Sequence, residues 1–316
     1  MKLGRMLAVA VLVVGLLGSY LPAEEKPAAA APSEKAPLVS ETYPGLASGC
    51  LTYAGLTELP KGTLLRAGGL AITEKDVADE IGKAPPDVQA QLKKNGFFML
   101  EQIAGPKLIV QVAKAEAART GKELPSTVDR LIMDYHLGGL AEKVEVTDAE
   151  VADFYQKNKG LVGDATLDQV KAEIRNYLVR EKQQAAIAKY VETLGQRTPI
   201  EVSAAWVKEH AALAKDNVVD KARTSGRPSM VNFGASGCQP CEMMAPILET
   251  LKKKYEGKAN VLFVHVRDEQ VLAARYGIQS IPVQVFFDKD GKEVSRHVGF
   301  FPQDEIEKQL AEMGVK

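Results

Sequence analysis

Ser229-Met230-Val231-Asn232-Phe233-Gly234-Ala235-Ser236-Gly237-Cys238-Gln239-Pro240-Cys241-Glu242-Met243-Met244 is the stretch whose reading decides the fold of the last third of this chain. The short apolar run Met230-Val231-Asn232-Phe233 reads as a strand, and Cys238-Gln239-Pro240-Cys241 opens a helix that runs to about Tyr255. Working outward, Val261 to Val266 reads as a second strand and Glu269 to Tyr276 as a helix. Two further strands meet at the turn Asp288-Lys289-Asp290-Gly291, and a last helix spans Pro302 to Met313. The order is β-α-β-α-β-β-α, an α/β arrangement.

A Cys-x-x-Cys pair at a helix start has a physical purpose. The helix N-terminus offers free N–H groups and a partial positive charge, which favour a thiolate at Cys238. Cys241 lies one turn along on the same side and can attack a mixed disulfide formed by Cys238. The competing reading is half of a zinc site, but tetrahedral zinc takes four ligands, and neither His265 nor His297 is spaced as a partner. The pair therefore reads as redox-active, with no metal and no cofactor expected. The third cysteine, Cys50, makes too small a set for the disulfide scaffold of a small secreted domain.

Over residues 216–316 the chain resembles thioredoxin along the whole segment. Val231-Asn232-Phe233 resembles the first core strand and Met243 to Leu251 the active-site helix, with Pro246 as its kink. Tyr276-Gly277-Ile278-Gln279-Ser280-Ile281-Pro282 resembles the segment that carries the family's cis-proline, and Gly299 matches the glycine of the last strand. The resemblance implies a cis bond between Ile281 and Pro282, which packs the turn against Cys238 and presents backbone groups to an extended peptide. It assigns catalysis to Cys238 and Cys241, with Gln239, Pro240, Ile281, Pro282 and Asn232 as substrate-binding or supporting residues.

The departures from the family bear on mechanism. Asn232 stands where thioredoxin has a buried Asp that helps to deprotonate the second cysteine, and Val264 stands for the Lys paired with that Asp. An amide takes up no proton, so Cys241 would depend on water or on the leaving group. Gly237 replaces the usual Trp and opens the approach to Cys238, and Gln239 replaces a Gly. Pro240 keeps the proline of reducing members, which favours reductase or isomerase chemistry without fixing the direction of electron flow.

With 316 residues, 46% of them hydrophobic, the chain is long enough for two cores. Forty basic and forty-one acidic side chains leave a net charge of -1 with no long basic run, which speaks against nucleic acid as a partner. Residues 1–23 carry Lys2 and Arg5 and then an uncharged stretch from Met6 to Ala23, a secretory signal pattern. Its apolar core is shorter than the roughly 20 residues of a membrane-spanning helix, so membrane contact is expected only if the signal is not cleaved. The compartment expected is the bacterial periplasm or another extracytoplasmic space.

Residues 24–64 read as a flexible or irregular tether, rich in Ala, Pro, Glu and Lys at its start, with the aperiodic stretch Val39 to Arg66 open to wrapping onto the next domain. Residues 65–205 read as an all-α domain, 206–215 as a charged connector, and the whole as an α+β multidomain chain. Helix starts are marked by Thr73-Glu74-Lys75-Asp76, Thr147-Asp148-Ala149-Glu150 and Thr166-Leu167-Asp168-Gln169. A helical stripe covers Phe97 to Arg119, with Gly105-Pro106 expected to break or kink it, and further helices fit Ser126 to Lys143 and Leu167 to Leu194. Leu70 to Asp76, Val144 to Val151 with Phe154-Tyr155, and Leu167 to Ile200 resemble the N-terminal module of SurA-type chaperones and parvulin-associated proteins, without the isomerase insert.

The resemblance implies a peptide-holding cradle, and a helical spacer or dimerisation domain explains the same pattern. The expected function is thiol–disulfide exchange on client proteins with disulfides or thiols, coupled to an unidentified redox partner. The alternative is a holdase whose C-terminal domain mainly binds peptides. Prolyl isomerisation is disfavoured by the missing insert.

Overall fold

Val39, Cys50, Leu51 and Ala54 are fully shielded from solvent, so the chain is already part of a core well before its first long helix. A computed structural model describes residues 36–159 and 163–316. The signal expected at 1–23 and the start of the tether lie outside the described residues. From Ala36 onward the tether expectation is corrected. A short helix α1 (Val39–Thr42), a 3-10 turn (Cys50–Tyr53) and strand β1 (Gly55–Thr57) pack against Phe97 and Leu100. The apolar residues of this stretch lack a period because they fill gaps in a core built by other elements.

Strands β2 (Thr63–Ala67) and β3 (Leu70–Thr73) follow, then helices α2 (Glu74–Gly82), α3 (Pro86–Lys94), α4 (Gly96–Thr120), α5 (Asp129–Ala141), α6 (Asp148–Lys157) and α7 (Leu167–Arg197), and strand β4 (Glu201–Ser203). The region is predominantly helical, but the all-α expectation is corrected by a four-stranded sheet of order β1-β4-β2-β3. Its strands are three to five residues long, too short for an alternating pattern to stand out. β4 pairs in parallel with β1, Gly55 opposite Glu201, and antiparallel with β2.

The capping residues act as their chemistry dictates. Thr73 and Thr147 accept from the N–H three residues on, while Asp76 and Glu150 accept from the threonine N–H groups. At the start of α7, Gln169 Oε1 accepts from Thr166 N–H at 2.8 Å. Helix α4 runs on through Pro106, so of the break or kink expected there the break does not occur. A proline removes one donor, and burial of Phe97, Leu100, Ala104, Leu108 and Ile109 along the same face outweighs that loss. The expected connector is also corrected. Ser203 caps helix α8 (Ala204–Ala214), which buries Val207, Ala211 and Ala214 on one face.

Helix α9 (Val218–Arg223) leads into β5 (Ser229–Gly234), α10 (Gln239–Lys254), β6 (Asn260–His265), α11 (Gln270–Arg275), β7 (Val283–Phe287), β8 (Glu293–Val298) and α12 (Gln303–Glu312). This matches the order read from the sequence. The sheet order is β6-β5-β7-β8, with β5 and β6 parallel and the other pairs antiparallel. One face packs Met230, Met244, Leu251, Phe286 and Ile306 under α10 and α12. The other packs Val231, Phe233, Leu272, Val285 and Phe287.

Residues 36–316 form one compact unit. Buried Arg275 reaches across it from α11, donating to Asn95 Oδ1 at 3.1 Å, to the carbonyl of Ala214 at 2.8 Å and to Asp220 Oδ2 at 3.2 Å. Asp220 also accepts from Tyr276 Oη at 2.9 Å and pairs with Arg223 at 3.3 Å. Burial of both charges costs desolvation, which these hydrogen bonds offset. Gln91 on α3 adds two bonds, donating to the carbonyl of Asp268 and accepting from the N–H of Val271.

Candidate functional site

Cys238 is the N-cap of α10 and is disulfide-bonded to Cys241, with their Cα atoms 5.2 Å apart. Gly237, just before it, has φ +74, a conformation that side-chain-bearing residues avoid. The turn thereby swings Cys238 to the helix end, where the first N–H groups have no helical partner and favour an anionic sulfur. Glu242 closes the turn by accepting from Gly237 N–H at 3.2 Å. Cys238 is half-buried and Gln239 exposed, while Cys241 is 5% exposed. The two sulfurs are thus inequivalent, one reachable by a polypeptide and one shielded.

The Ile281–Pro282 bond is cis, and the carbonyl oxygen of Ile281 lies 3.9 Å from Cys238 Sγ. The chain brings Cys238, Gln239, Pro240, Cys241, Ile281 and Pro282 to one end of the sheet. Asn232 lies behind them on β5. Its Nδ2 and Cys241 Cβ each fall 3.5 Å from the point where a Cβ on Gly234 would sit. Asn232 is fully buried, and Gln284 Nε2 on β7 donates to its Oδ1 at 2.7 Å. Sequence reasoning missed Gln284. The signal was one polar residue inside the apolar run Val283 to Phe287, the same signature that Asn232 shows inside Met230 to Phe233.

His265, considered above only as a metal ligand, lines a cavity of about 280 Å³ together with Cys241, Glu242 and Phe263. Ser236 N–H donates to its Nε2 at 3.2 Å, and Asp268 Oδ2 stands 2.9 Å from Nδ1. A cleft of about 860 Å³ is lined by Gly277, Gln279, Ser280 and Val283 and by Arg180 and Gln184 of α7. Cys50 lies apart from this chemistry. Burial, aided by the nearby Glu101 carboxylate, pushes its thiol up to about 12 and leaves it unreactive. Glu101 is itself buried, which pushes its carboxyl up. It accepts from the N–H groups of Ser48, Gly49 and Leu51. Gly195 of α7 meets the carbonyl of Cys50 so closely that a Cβ would fall 2.2 Å from its oxygen.

Residues 216–314 match the family described as a thioredoxin-like domain. Thioredoxins of Staphylococcus aureus strains Mu50 and MW2 are each 43% identical to this chain over 81 residues, which are 26% of this chain and 77% of each relative. The chain belongs to the thioredoxin family. Among solved structures, thioredoxin NaTrxh from Nicotiana alata is 28% identical, covering 30% of this chain and 80% of that one with a TM-score of 0.28. The thioredoxin match supports a thiol–disulfide oxidoreductase, and it falls on the segment that carries Cys238, Cys241 and Pro282.

Proposed function

We propose that the protein is an extracytoplasmic thiol–disulfide oxidoreductase that acts on client polypeptides, with the helical region 65–205 as a peptide-holding module similar to that of SurA-type chaperones. The observation that carries the redox reading is the pair itself. A half-buried Cys238 caps α10 beside the Ile281 carbonyl, and a shielded Cys241 is already bonded to it. In the mechanism, the Cys238 thiolate attacks a client disulfide and forms a mixed disulfide. Cys241 then attacks Cys238 Sγ, closes the Cys238–Cys241 bond and expels the client thiolate. A dithiol partner returns the protein to its reduced form. Support for the compartment comes from the charge and apolar pattern of residues 1–23.

The test is reduction of a protein disulfide by the full chain. Cys238→Ser abolishes turnover, and Cys241→Ser accumulates a client mixed disulfide. Full turnover by the Cys238→Ser variant refutes the reading. A reduction potential near about -270 mV would assign it to reductases, and one near about -120 mV to oxidants of client thiols.

A holdase reading has one observation in its favour. Val128, Leu131 and Tyr135, at the start and along one face of α5, are 56%, 51% and 48% exposed. Suppression of client aggregation that persists in the Cys238→Ser, Cys241→Ser double variant supports this reading, and its loss there removes it.

A further inference from the structure

We propose that His265 receives the proton of Cys241, through water in the cavity they share, when Cys241 attacks the mixed disulfide. The inference rests on the oxidoreductase reading and identifies a step within it.

Cys241 must shed a proton to attack, and its burial disfavours the thiolate. On the strand side its neighbour is Asn232, an amide bonded to a second amide, Gln284, and neither takes up a proton. The proton therefore leaves toward the cavity of about 280 Å³ that Cys241 also lines. That volume holds several waters at about 30 Å³ each. The charged groups that face the cavity from α10 are Glu242, Glu249 and Lys252. Glu249 and Lys252 pair with each other at 2.8 Å, and Glu242 holds the Gly237 N–H. Glu242 and Glu249 are exposed, unlike the buried acid of thioredoxin, and an exposed carboxylate is a weaker base than an imidazole.

The surroundings of His265 suit this role. Nε2 accepts from Ser236 N–H, so in the neutral ring the proton sits on Nδ1. Nδ1 stands at ion-pair distance from Asp268, out of hydrogen-bond alignment, and Phe263 approaches edge-on at 6.3 Å. When Nε2 takes a proton it finds Ser236 Oγ, 3.4 Å away, as an acceptor. In doing so the ring gives up its bond from Ser236 N–H, and Asp268, 2.9 Å from Nδ1, balances the imidazolium charge. The step is balanced. The Cys241 proton passes to His265, the Cys241–Cys238 bond forms, and the bond from Cys238 to the client sulfur breaks. The client sulfur leaves as a thiolate with the electron pair, and the imidazolium then releases its proton to water or to that thiolate.

The experiment mixes the reduced full chain with an equimolar nitrobenzoate disulfide whose thiolate is coloured. The first release reports Cys238 and the second reports Cys241. For the wild type, the second release is expected to rise with pH through an inflection. His265→Gln keeps an acceptor for Ser236 N–H, leaves the first release unchanged, slows the second about 10²-fold and removes the inflection. Added imidazole restores the rate in His265→Ala. A second release in His265→Gln with the rate and pH profile of the wild type overturns the proposal, as does a wild-type profile without that inflection. Absence of the first release in the wild type would instead sink the oxidoreductase reading on which the proposal rests.

Discussion

Gln284 Nε2 donates to Asn232 Oδ1 at 2.7 Å, joining the central strands β5 and β7 by a side-chain bond that solvent does not reach. Each amide spends one group on the other, while Asn232 Nδ2 and Gln284 Oε1 make no hydrogen bond among the described residues. Removal of one partner strands the other.

Gln284→Leu is accordingly expected to cost about 1–3 kcal/mol, the penalty of a buried polar group left unpaired. Asn232→Leu combined with Gln284→Leu costs less than the single change, because two apolar side chains replace two half-satisfied amides. Urea unfolding of the three proteins decides the point, and a double variant weaker than the single one refutes it.

Arg275→Met leaves Asp220 buried with Arg223, Tyr276 and Asn217 as its remaining partners. A loss of about 3 kcal/mol is expected, the lower end for breaking a buried ion pair. The same change takes one bond from Asn95 Oδ1 and one from the Ala214 carbonyl, which keeps Asn217 Nδ2 as a donor, so faster proteolysis is expected at the junction of α3, α8 and α11. Unchanged stability and proteolysis count against it.

Glu101→Gln removes acceptor capacity facing three backbone N–H groups at Ser48, Gly49 and Leu51. The expected cost is about 1–3 kcal/mol. Cys50 lies within this loop, so its alkylation in the native state should accelerate. Mass spectrometry of the labelled full chain measures it.

Burial holds the His297 imidazole below its ordinary value of 6.5, opposed in part by its bond to the Phe300 carbonyl. The folded state therefore prefers the neutral ring, and the unfolded chain takes up a proton first as pH falls. The contribution of His297 to stability is present above about pH 6.5 and is lost as pH falls through the depressed folded value. His297→Phe preserves the stack on Phe301 and should flatten the decline between about pH 8 and pH 5, read from urea midpoints. A decline as steep as that of the wild type removes His297 as its cause.

The thioredoxin segment was legible because its signals are local. Strands of five or six residues, a capped Cys-x-x-Cys and the turn at Asp288 to Gly291 each declare themselves within one short window. Helices starting at Thr73, Thr147 and Thr166 were legible for the same reason. The sheet of β1 to β4 was not, because Gly55–Thr57 and Glu201–Ser203 mean nothing until each finds the other. The nearness of His265 to Cys241 was not legible because it depends on β6 running beside β5, nor were the bonds of Arg275, because its three acceptors come from three separate elements.

The parallel pairing of Gly55 with Glu201 has a consequence for the order in which the protein is made. A chain growing from its N-terminus displays β1 and β2 long before β4 exists, and those strand edges stay open while every helix of the middle region is synthesised. Closing so long a loop is entropically costly until β4 arrives, so the sheet behaves as a clasp shut late by a three-residue strand.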